Sequence, residues 1–261
     1  MTTLSPHRAW RRFRYRRLQR RLAGRRLLTE FARRHPDAFF IEIGANDGVQ
    51  HDHLRPFIVE SGWRGVMVEP VPYVFERLQS NYEGIDRVKL ENAAIADRDG
   101  PLPFFHLRPP GAGEAGNLPD WYDGIGSFSR DLIMSHGRHI PDIEERLVQA
   151  DVPALTFESL CRKHRVARLD LVLIDAEGYD LRILDSIDLA AWHPALLVYE
   201  HYHLDANERP RARTLVGDHG YETIEEGFNT WCLDPRADER LTAMWRSLRP
   251  AVPGVFAEDE R

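Results

Sequence analysis

The clearest chemical signal in the sequence is a pair of glycines, Gly44 and Gly48, that follows an apolar stretch. Glycine is needed where a chain turns with positive φ and lets a ligand approach the backbone. A dinucleotide-binding turn has the spacing GxGxxG, but here its third and sixth positions are Asn46 and Val49. Asp47 would repel the phosphates of a dinucleotide and tolerate a cationic ligand. The segment therefore favours a sulfonium cofactor over a nicotinamide dinucleotide.

Polar residues also follow the next two apolar stretches. Glu69 ends the second one, and a carboxylate there can accept both hydroxyls of an adenosine ribose because it has two acceptor oxygens. Asn92 and Ala93 follow the third, at a position that commonly flanks an adenine ring. Each residue alone is compatible with an ordinary turn, whereas their order at successive strand ends predicts a site for an adenosyl group.

A fourth apolar stretch ends in two acids, Asp175 and Glu177. Ligands of open α/β sheets bind beyond the carboxyl ends of the strands, so Asp175 is predicted to face the cleft. Methyl transfer from a sulfonium to a hydroxyl needs close approach and a group that removes the hydroxyl proton. Asp175 and Glu177 are candidates for that base or for orienting the acceptor. Glu177 could instead cap the helix that follows Gly178, and both interpretations stay open.

The fifth apolar stretch ends with Glu200, His201 and His203. Asp175, Glu200 and His201 are candidate ligands of a divalent metal such as magnesium, which would lower the pKa of a bound hydroxyl. His201 is also a candidate catalytic base, because an unperturbed imidazole has a pKa near ~6.5. The alternative is a polar strand end whose histidines form hydrogen bonds with their neighbours.

Other polar residues receive structural interpretations. Asp52, between His51 and His53, lies where a helix is predicted to begin, so capping explains it more simply than metal binding. His136 and His139 lie at helical spacing in a polar region and are assigned no role.

Short apolar stretches that alternate with helical patterns must position these residues, and this alternation is typical of a parallel sheet with helices on both faces. Pro72 predicts the start of one such helix, with Val74, Phe75 and Leu78 on its inward face. The pattern predicts an α/β protein with a mostly parallel sheet and a terminal antiparallel hairpin. The predicted strands cover residues 38–43, 65–68, 87–90, 169–174 and 195–199, and the hairpin covers 221–225 and 230–233.

Residues 101–128 interrupt this alternation. They are rich in proline and glycine, and we predict an inserted loop that acts as a lid or lies on the surface. Trp121 and Tyr122 are then candidates for closing over an acceptor and excluding water. Beyond the loop, a helix is predicted to begin at Pro141, with Leu147 on its apolar face.

The charge of the chain is distributed unevenly. Residues 7–34 contain 12 arginines and Glu30 is the one acid before residue 35, so residues 1–34 carry 12 − 1 = +11. The rest has 35 − 12 = 23 basic and 41 − 1 = 40 acidic residues, or −17, which gives the net charge of −6. We predict an Arg-rich segment (1–34), whose apolar spacing is compatible with a helix, followed by one domain (35–261). Such a helix lies on anionic lipid, contacts nucleic-acid phosphates, or packs as a leader on the acidic body. Its apolar residues at helical intervals are Trp10, Phe13, Leu18, Leu22, Leu27 and Leu28.

The composition excludes several classes of protein. The chain has 261 residues, a mean hydropathy of −0.46 and no apolar run near the ~18 residues of a spanning helix, so an integral membrane protein is not expected. A hydrophobic content of 43% is enough for a core, which excludes a wholly disordered chain. Two cysteines, Cys161 and Cys232, cannot form a disulfide framework and indicate a reduced, cytoplasmic protein.

Five motifs occur in the order FIEIGANDG (40–48), VMVEP (66–70), ENAAIAD (91–97), LIDAEGYDLRIL (173–184) and LLVYE (196–200). This order resembles the FkbM-type S-adenosylmethionine-dependent methyltransferases over about residues 38–203. The resemblance implies a Rossmann-like class I methyltransferase fold with a seven-stranded sheet, and S-adenosylmethionine as cofactor. It also implies O-methylation of a sugar, glycolipid or natural-product hydroxyl.

The resemblance also assigns roles to individual residues. The glycine turn would line the methionine moiety, Glu69 would hold the ribose, and Asn92 with Ala93 would flank the adenine. The residues that would line the cofactor are Glu42, Gly44, Ala45, Asn46, Asp47, Gly48, Glu69, Pro70, Asn92, Ala93 and Asp175. The family often has a lysine directly before the Ile-Asp of the fourth strand, where this chain has Leu173, so its substrate need not match that of the family.

Two alternative functions stay open at this point. A nucleic-acid methyltransferase would suit the basic segment, but residues 175–178 differ from the Asn/Asp-Pro-Pro-aromatic turn of amino-group methyltransferases, so nucleic acid is disfavoured as a partner. A binding protein that kept the fold and lost activity would account for Leu173. The favoured partners are a small-molecule or glycan acceptor and, through the Arg-rich segment, an anionic membrane, which would place a cytoplasmic protein at the inner face of the membrane.

Overall fold

The computed structural model describes residues 21–257, which form an α/β fold with two sheets. The strands are β1 (Phe39–Ile43), β2 (Arg64–Val68), β3 (Val88–Glu91), β4 (Ala94–Ile95), β5 (Gly100–Leu107), β6 (Gly126–Ser127), β7 (Leu147–Leu155), β8 (Leu171–Ile174), β9 (Leu196–Glu200), β10 (Glu222–Glu226) and β11 (Asn229–Leu233). The helices are α1 (Ala23–Arg34), α2 (Arg55–Ser61), α3 (Pro72–Asn81), α4 (Arg130–Ser135), α5 (Ile143–Arg146), α6 (Phe157–Lys163), α7 (Asp180–Ser186), α8 (Leu189–Trp192), α9 (Glu208–Asp218) and α10 (Glu239–Ser247). Short 3₁₀ turns cover Ala115–Asn117, Tyr122–Gly124 and His136–Arg138.

The larger sheet has seven strands in the order β10-β11-β9-β8-β1-β2-β3. The five adjacent strands β9, β8, β1, β2 and β3 run parallel. Strands β10 and β11 form an antiparallel hairpin, and β11 pairs antiparallel with β9. All residues of β8 and β9 are buried, as expected for central strands covered on both faces. The structure confirms the predicted sheet, and it brings the carboxyl ends of the five parallel strands to one edge.

Helices cover both faces of this sheet. One face packs against α1, α2 and α10, and the other packs against α6, α7 and α9. Alternate residues of one strand serve the two faces: in β1, Phe40 belongs to the first cluster and Ile41 to the second. Within residues 21–257, no helix has the length and apolar content needed to cross a membrane.

Helix α1 is part of the core. Leu27, Leu28 and Phe31 are buried in the same cluster as Trp63 and Trp245, and the helix is the described part of the Arg-rich segment. The leucines that the sequence offered for contact with lipid or phosphate therefore stabilise the body of the protein. The remaining predicted apolar residues of the segment, Trp10, Phe13 and Leu18, lie outside the described residues.

The start of α1 is fixed by the hairpin. The side chain of Trp231 occupies the space that a Cβ atom at Gly24 would need, so the helix approaches the sheet closely at this point. The backbone N–H of Gly24 donates to Oε2 of Glu226, at 3.0 Å.

The region predicted as an inserted loop contains part of a second sheet, so the loop prediction is wrong for its first residues. Four strands lie in the order β4-β7-β5-β6, and β5 pairs antiparallel with β7 along its whole length. Pro101 and Pro103 are exposed, whereas Leu102 and Phe104 between and after them are buried. Prolines cannot donate to a ladder, which argues against a strand in the sequence, yet here they alternate with the buried side chains.

The same sheet corrects the helix predicted from Pro141. Helix α5 covers only Ile143–Arg146, and Leu147 begins strand β7 instead of extending a helical face. Residues 108–125 do lack strands and form short turns, with Tyr122 and Ile125 buried in a small cluster against α4 and α5.

Candidate active site

A large cleft lies at the carboxyl ends of the parallel strands. Its volume is about 1920 Å³, compared with roughly 300–1,000 Å³ for typical small-molecule sites. Residues at the ends of β1, β2, β8 and β9 form the floor, and residues 116–126, the hairpin turn 226–229 and the start of α1 form the walls. The cleft therefore has room for two ligands side by side.

The glycine turn follows β1 and passes close to the end of β8. Gly44 has a φ of 81°, and a Cβ atom there would overlap the carbonyl oxygen of Asp175. Gly48 has a φ of 67°, and a Cβ atom would overlap the side chains of Leu78 and Tyr82. Both positions require glycine for conformation and for space. The first half of the turn lines the cleft, whereas Gly48 faces the protein interior.

Glu69 points from the end of β2 toward the glycine turn. Its Oε2 accepts from the backbone N–H of Asn46 at 3.0 Å, and its Oε1 accepts from the N–H of Val71 at 2.8 Å. The residue is 6% exposed, and burial raises the pKa of its carboxyl to about 7. Each oxygen can accept a second hydrogen bond, so both remain available to hydroxyl donors in the cleft.

Four residues of the predicted cofactor set do not line the large cleft. Asp47 is buried, and its Oδ1 accepts from the backbone N–H groups two and three residues later, so it holds the turn. Asn92 donates to the backbone oxygens of the two residues after β2, at 2.8 and 3.2 Å. Ala93 lines a separate cavity of about 30 Å³ beside the glycine turn, and Gly48 lines neither cavity. The members that do line the cleft are Glu42, Gly44, Ala45, Asn46, Glu69, Pro70 and Asp175.

Acidic side chains dominate the floor of the cleft. Burial raises the pKa of Glu42 well above its ordinary value, and the neighbouring Asp52 and Asp175 raise it further. Burial and then Glu177 raise the pKa of Asp175 to about 7, and the pKa of Glu200 is raised well above its ordinary value by the same kinds of cause. These shifts mean that the floor disfavours its own negative charge and attracts cationic ligands.

Asp52 combines the predicted structural role with a place in this acidic region. Its Oδ1 accepts from the backbone N–H groups of Leu54 and Arg55, at 2.6 and 2.9 Å, where α2 begins. Burial nevertheless raises the pKa of Asp52 to about 6, and its side chain lines the cleft near Glu42.

Glu177 lies within hydrogen-bond distance of a histidine that faces the cleft. Its Oε2 lies 3.0 Å from Nε2 of His203, and both side chains are largely buried. Glu177 has a φ of 47° and its backbone oxygen accepts from Oγ of Ser127 at 2.8 Å, so the turn is held in a conformation that presents the carboxylate. The ring of His136 stands edge-on to His203 with 5.7 Å between the centroids. Glu177 therefore positions an imidazole and does not cap α7.

His201, predicted as a catalytic base and a metal ligand, does not lie in the cleft. Its Nδ1 forms a hydrogen bond with Oγ1 of Thr230 at 2.9 Å, and its ring packs on Phe256 at 4.5 Å. Burial lowers its pKa, so the ring favours the neutral form. Glu200, the residue before it and the last of β9, does line the cleft.

The family of this chain is decided by a match that spans most of the sheet and the cleft floor. The model of the methyltransferase FkbM domain matches residues 42–223, a range that contains the glycine turn, Glu69, Asp175 and His203. The chain belongs to the FkbM methyltransferase family. The expectation from the sequence motifs is thereby confirmed at the level of the family.

Solved structures similar to this FkbM methyltransferase are also methyltransferases. The methyltransferase FkbM from Methylobacillus flagellatus KT aligns over 76% of this chain and 44% of its own length, with 11% identity and a TM-score of 0.48. Fibrillarin from Aeropyrum pernix, which holds natively bound S-adenosyl-L-methionine, aligns over 76% and 68%, with 9% identity and a TM-score of 0.40. This chain spans less than half the length of the first of these proteins. No curated protein sequence matches it.

Three cleft residues of this FkbM methyltransferase were missed or left without a role by the sequence. His203 was considered with His201 as a metal ligand or part of a polar strand end, but not as the base. His136 comes from a segment whose path across the cleft no local pattern reveals. Phe228 is 47% exposed at the turn of the hairpin, and its ring lies 4.6 Å from that of Tyr202. The exposed aromatic at a glycine turn is the one signal that could have identified this wall.

Proposed function

We propose that this FkbM methyltransferase transfers the methyl group of S-adenosylmethionine to a hydroxyl of a sugar, glycolipid or natural product. The observation that carries the proposal is the position of the Glu69 carboxylate. Its Oε2 lies 3.0 Å from the backbone nitrogen of Asn46, in a turn that requires glycine at positions 44 and 48. A carboxylate at the end of the second strand, next to such a turn, is suited to hold the two ribose hydroxyls.

The acids on the floor support a cofactor with positive charge. The sulfonium and the ammonium group of S-adenosylmethionine are cations, and Glu42 and Asp175 line the cleft together with the glycine turn. The mutual repulsion of these carboxylates would be relieved by a bound cation. Asp175 thus has a cofactor role in the proposal, whereas the proton transfer is assigned to another residue.

His203 is the proposed base, positioned by Glu177. With Nε2–H donating to the carboxylate of Glu177, Nδ1 carries the lone pair that can take a proton. In the proposed step the acceptor oxygen forms a bond to the methyl carbon as the sulfur–carbon bond breaks. The hydroxyl proton goes to His203, and Glu177 stabilises the imidazolium that forms. S-adenosylhomocysteine is the second product.

A divalent cation can also make a hydroxyl more acidic. Of the three ligands predicted from sequence, Asp175 and Glu200 line the cleft and His201 does not. A magnesium ion that assists the transfer would therefore be held by acids on the floor.

The aromatic wall supports a ring-shaped acceptor. Tyr202 and Phe228 stand together at the mouth of the cleft, and Trp121 lies on the segment 116–126 that forms another wall. Apolar faces of a sugar or a natural-product ring can pack on such side chains, while a hydroxyl reaches the floor. The volume of about 1920 Å³ accommodates this acceptor together with the cofactor.

Calorimetric titration with S-adenosylhomocysteine tests the proposal. We expect saturable binding by the full chain, weakened about 10- to 100-fold in Glu69→Gln, because the amide cannot accept through both of its terminal atoms. Asp120→Asn is the control, since Asp120 lines the cleft wall, is exposed and is not among the described hydrogen-bond partners of Glu69. Absence of binding at about 1 mM ligand, or equal affinities of Glu69→Gln and the unaltered chain, would contradict the proposal.

The Arg-rich segment is proposed to attach the protein to anionic lipid on the cytoplasmic side of a membrane. Because α1 buries its leucines, the contact would be made by arginines and by residues before 21. The cytoplasmic side is favoured because Cys161 and Cys232 are buried free thiols, which suits a reducing compartment. The full chain should float with phosphatidylglycerol vesicles, and a chain without residues 1–20 should not. Equal flotation of the two would refute the attachment.

A further inference from the structure

Three acids on the floor of the cleft bring oxygen atoms together from two neighbouring strand ends. Asp175 and Glu177 follow β8, and Glu200 ends β9. One carboxylate oxygen from each lies within 4.8 Å of the other two. In an octahedral site with metal–oxygen distances of ~2.1 Å, neighbouring oxygens are ~3 Å apart and opposite ones ~4.2 Å apart. The cluster could therefore close around an ion with changes of at most roughly 2 Å in the separations between these oxygens.

Glu200 provides an independent indication that the floor binds a cation. The residue is 7% exposed, and its Oε2 has no hydrogen-bond partner among the described residues. The charged groups that act on its carboxyl are Asp175, Glu177 and Asp180, all of them acidic, and they raise its pKa together with burial. A buried carboxylate oxygen without a donor is costly unless a cation or a proton satisfies it.

Asp180 fixes the backbone at Glu200 through hydrogen bonds. Oδ1 of Asp180, a residue that is almost wholly buried, accepts from the N–H of Glu200 at 3.3 Å and from that of Ala176 at 3.4 Å. This contact ties the ends of β8 and β9 together, so the spacing of the cluster is set by the sheet and not by flexible side chains alone.

All three residues of this group offer oxygen donors, which determines the kind of ion that the group prefers. Magnesium and manganese prefer carboxylates and water, whereas zinc prefers nitrogen and sulfur ligands. A second group, His136, Glu177 and His203, has the ligand types of a zinc site, but there His203 already has Glu177 as a hydrogen-bond partner. Each group contains one polar atom without a partner among the described residues, Oε2 of Glu200 and Nε2 of His136. Glu200 is 7% exposed whereas His136 is only half-buried, so the larger desolvation cost falls on the acidic group.

We propose that Asp175, Glu177 and Glu200 bind one divalent cation of the magnesium or manganese type on the floor of the cleft. The ion would neutralise the three carboxylates and leave coordination positions for water or for oxygens of an acceptor. Glu177 can still accept from His203, because a carboxylate has two oxygens. The use of the ion in catalysis rests on the proposed function, but its binding requires neither cofactor nor acceptor.

Manganese binding to the full chain, without S-adenosylmethionine, tests the site. Electron paramagnetic resonance of free Mn²⁺ should show one saturable site per chain, and excess Mg²⁺ should displace the ion. Glu200→Gln and, separately, Asp175→Asn should each weaken binding at least about tenfold, whereas the cleft-wall control Asp120→Asn should bind as the unaltered chain does. Circular dichroism of each variant establishes that it is folded, and two ligand variants keep the test valid when one of them does not fold.

Three results would overturn the inference. They are no saturable binding by the unaltered chain at about 1 mM Mn²⁺, unchanged binding by both folded ligand variants, or loss of binding in His136→Ala with Glu200→Gln unaffected. The last result would place the ion on the histidine group. Titration with S-adenosylhomocysteine in parallel separates the two proposals. Failure of manganese binding alone removes the cation site, and failure of S-adenosylhomocysteine binding alone removes the proposed function.

Discussion

The two halves of the cleft differ in how completely their polar groups are satisfied. At the glycine turn and the end of β2, each oxygen of Glu69 accepts a backbone N–H, and the turn is locked by its contacts. On the acidic floor, Oε2 of Glu42, Oε2 of Glu200 and Oδ2 of Asp180 have no partner among the described residues, and acids act on all three. The first half is formed before a ligand arrives, whereas the second depends on charge that a ligand supplies.

The largest effect should come from closing the space in the formed half. Gly44→Ala should lower the free energy of unfolding by about 3 kcal/mol or more and abolish S-adenosylhomocysteine binding, because the new Cβ overlaps the backbone of Asp175. Gly84→Ala is the control: Gly84 has a similar φ of 78° but open space around it, so only the conformational cost of about 1 kcal/mol should appear. Urea unfolding measures both. Equal losses in the two variants would mean that the turn is not tightly held.

Removing the proposed base should affect turnover and leave the formed half intact. His203→Gln should lower kcat about 100-fold or more while the dissociation constant of S-adenosylhomocysteine stays the same. His51→Gln, at an exposed residue of the cleft wall, serves as the control and should retain turnover. Transfer of a labelled methyl group gives the rate once an acceptor is found. A change in cofactor affinity without a change in kcat would reassign His203 to the binding half.

The affinity for the cofactor should depend on pH through Glu69. Burial raises the pKa of this carboxyl to about 7, so about one tenth is ionised at pH 6 and most of it at pH 8. If ribose hydroxyls donate to the ionised form, affinity should rise about tenfold between these values. The stability contribution has the opposite sign: because the folded pKa is above the unfolded one, stability from this group is present below about pH 4.5 and is lost as pH rises through 7. Calorimetry of Glu69→Gln should show a flat profile, and a persistent slope would assign the dependence to another group.

The smallest expected effect is a gain in stability when an acid of the unsatisfied half is replaced by its amide. With a chelator present, Glu200→Gln should raise the free energy of unfolding at pH 7 by about 1 kcal/mol, because burial and the neighbouring acids raise the pKa of Glu200 on folding, which costs stability above its ordinary pKa. Glu144→Gln, at an exposed residue paired with Arg130, should change little. Thermal unfolding at matched pH compares them. A loss of stability in Glu200→Gln would show that this carboxylate already has a favourable partner and would remove the contrast between the halves.

The sequence predicted the formed half better than the unsatisfied half, for a physical reason. Gly44 and Glu69 act through local chain geometry at strand ends, and strand ends can be read from apolar stretches. His203 and His136 meet only because two distant segments converge, and no local pattern contains that distance. His201 was chosen over His203 because the direction of a side chain after a strand ends is not set by alternation alone.

The fold shows the same division. The large sheet followed from buried apolar strands, with bounds shifted by one or two residues. Strand β5 was missed because Pro101 and Pro103 argue locally against a strand, and only its pairing with β7 shows that their missing N–H groups do not matter. Packing of α1 on the body was one of three interpretations of the Arg-rich segment, but the sequence did not show that Leu27 and Leu28 are part of the core.

The anchoring of α1 has a consequence for how an acceptor could arrive. Leu22 and Arg25, at the start of this helix, are also wall residues of the cleft, and Gly24 is fastened to the hairpin between them. The chain therefore leaves the described body right at the rim of the opening. If the Arg-rich segment binds a membrane as proposed, the start of α1 places the cleft opening next to that membrane. A lipid-linked substrate would then need to move only a short distance to reach His203.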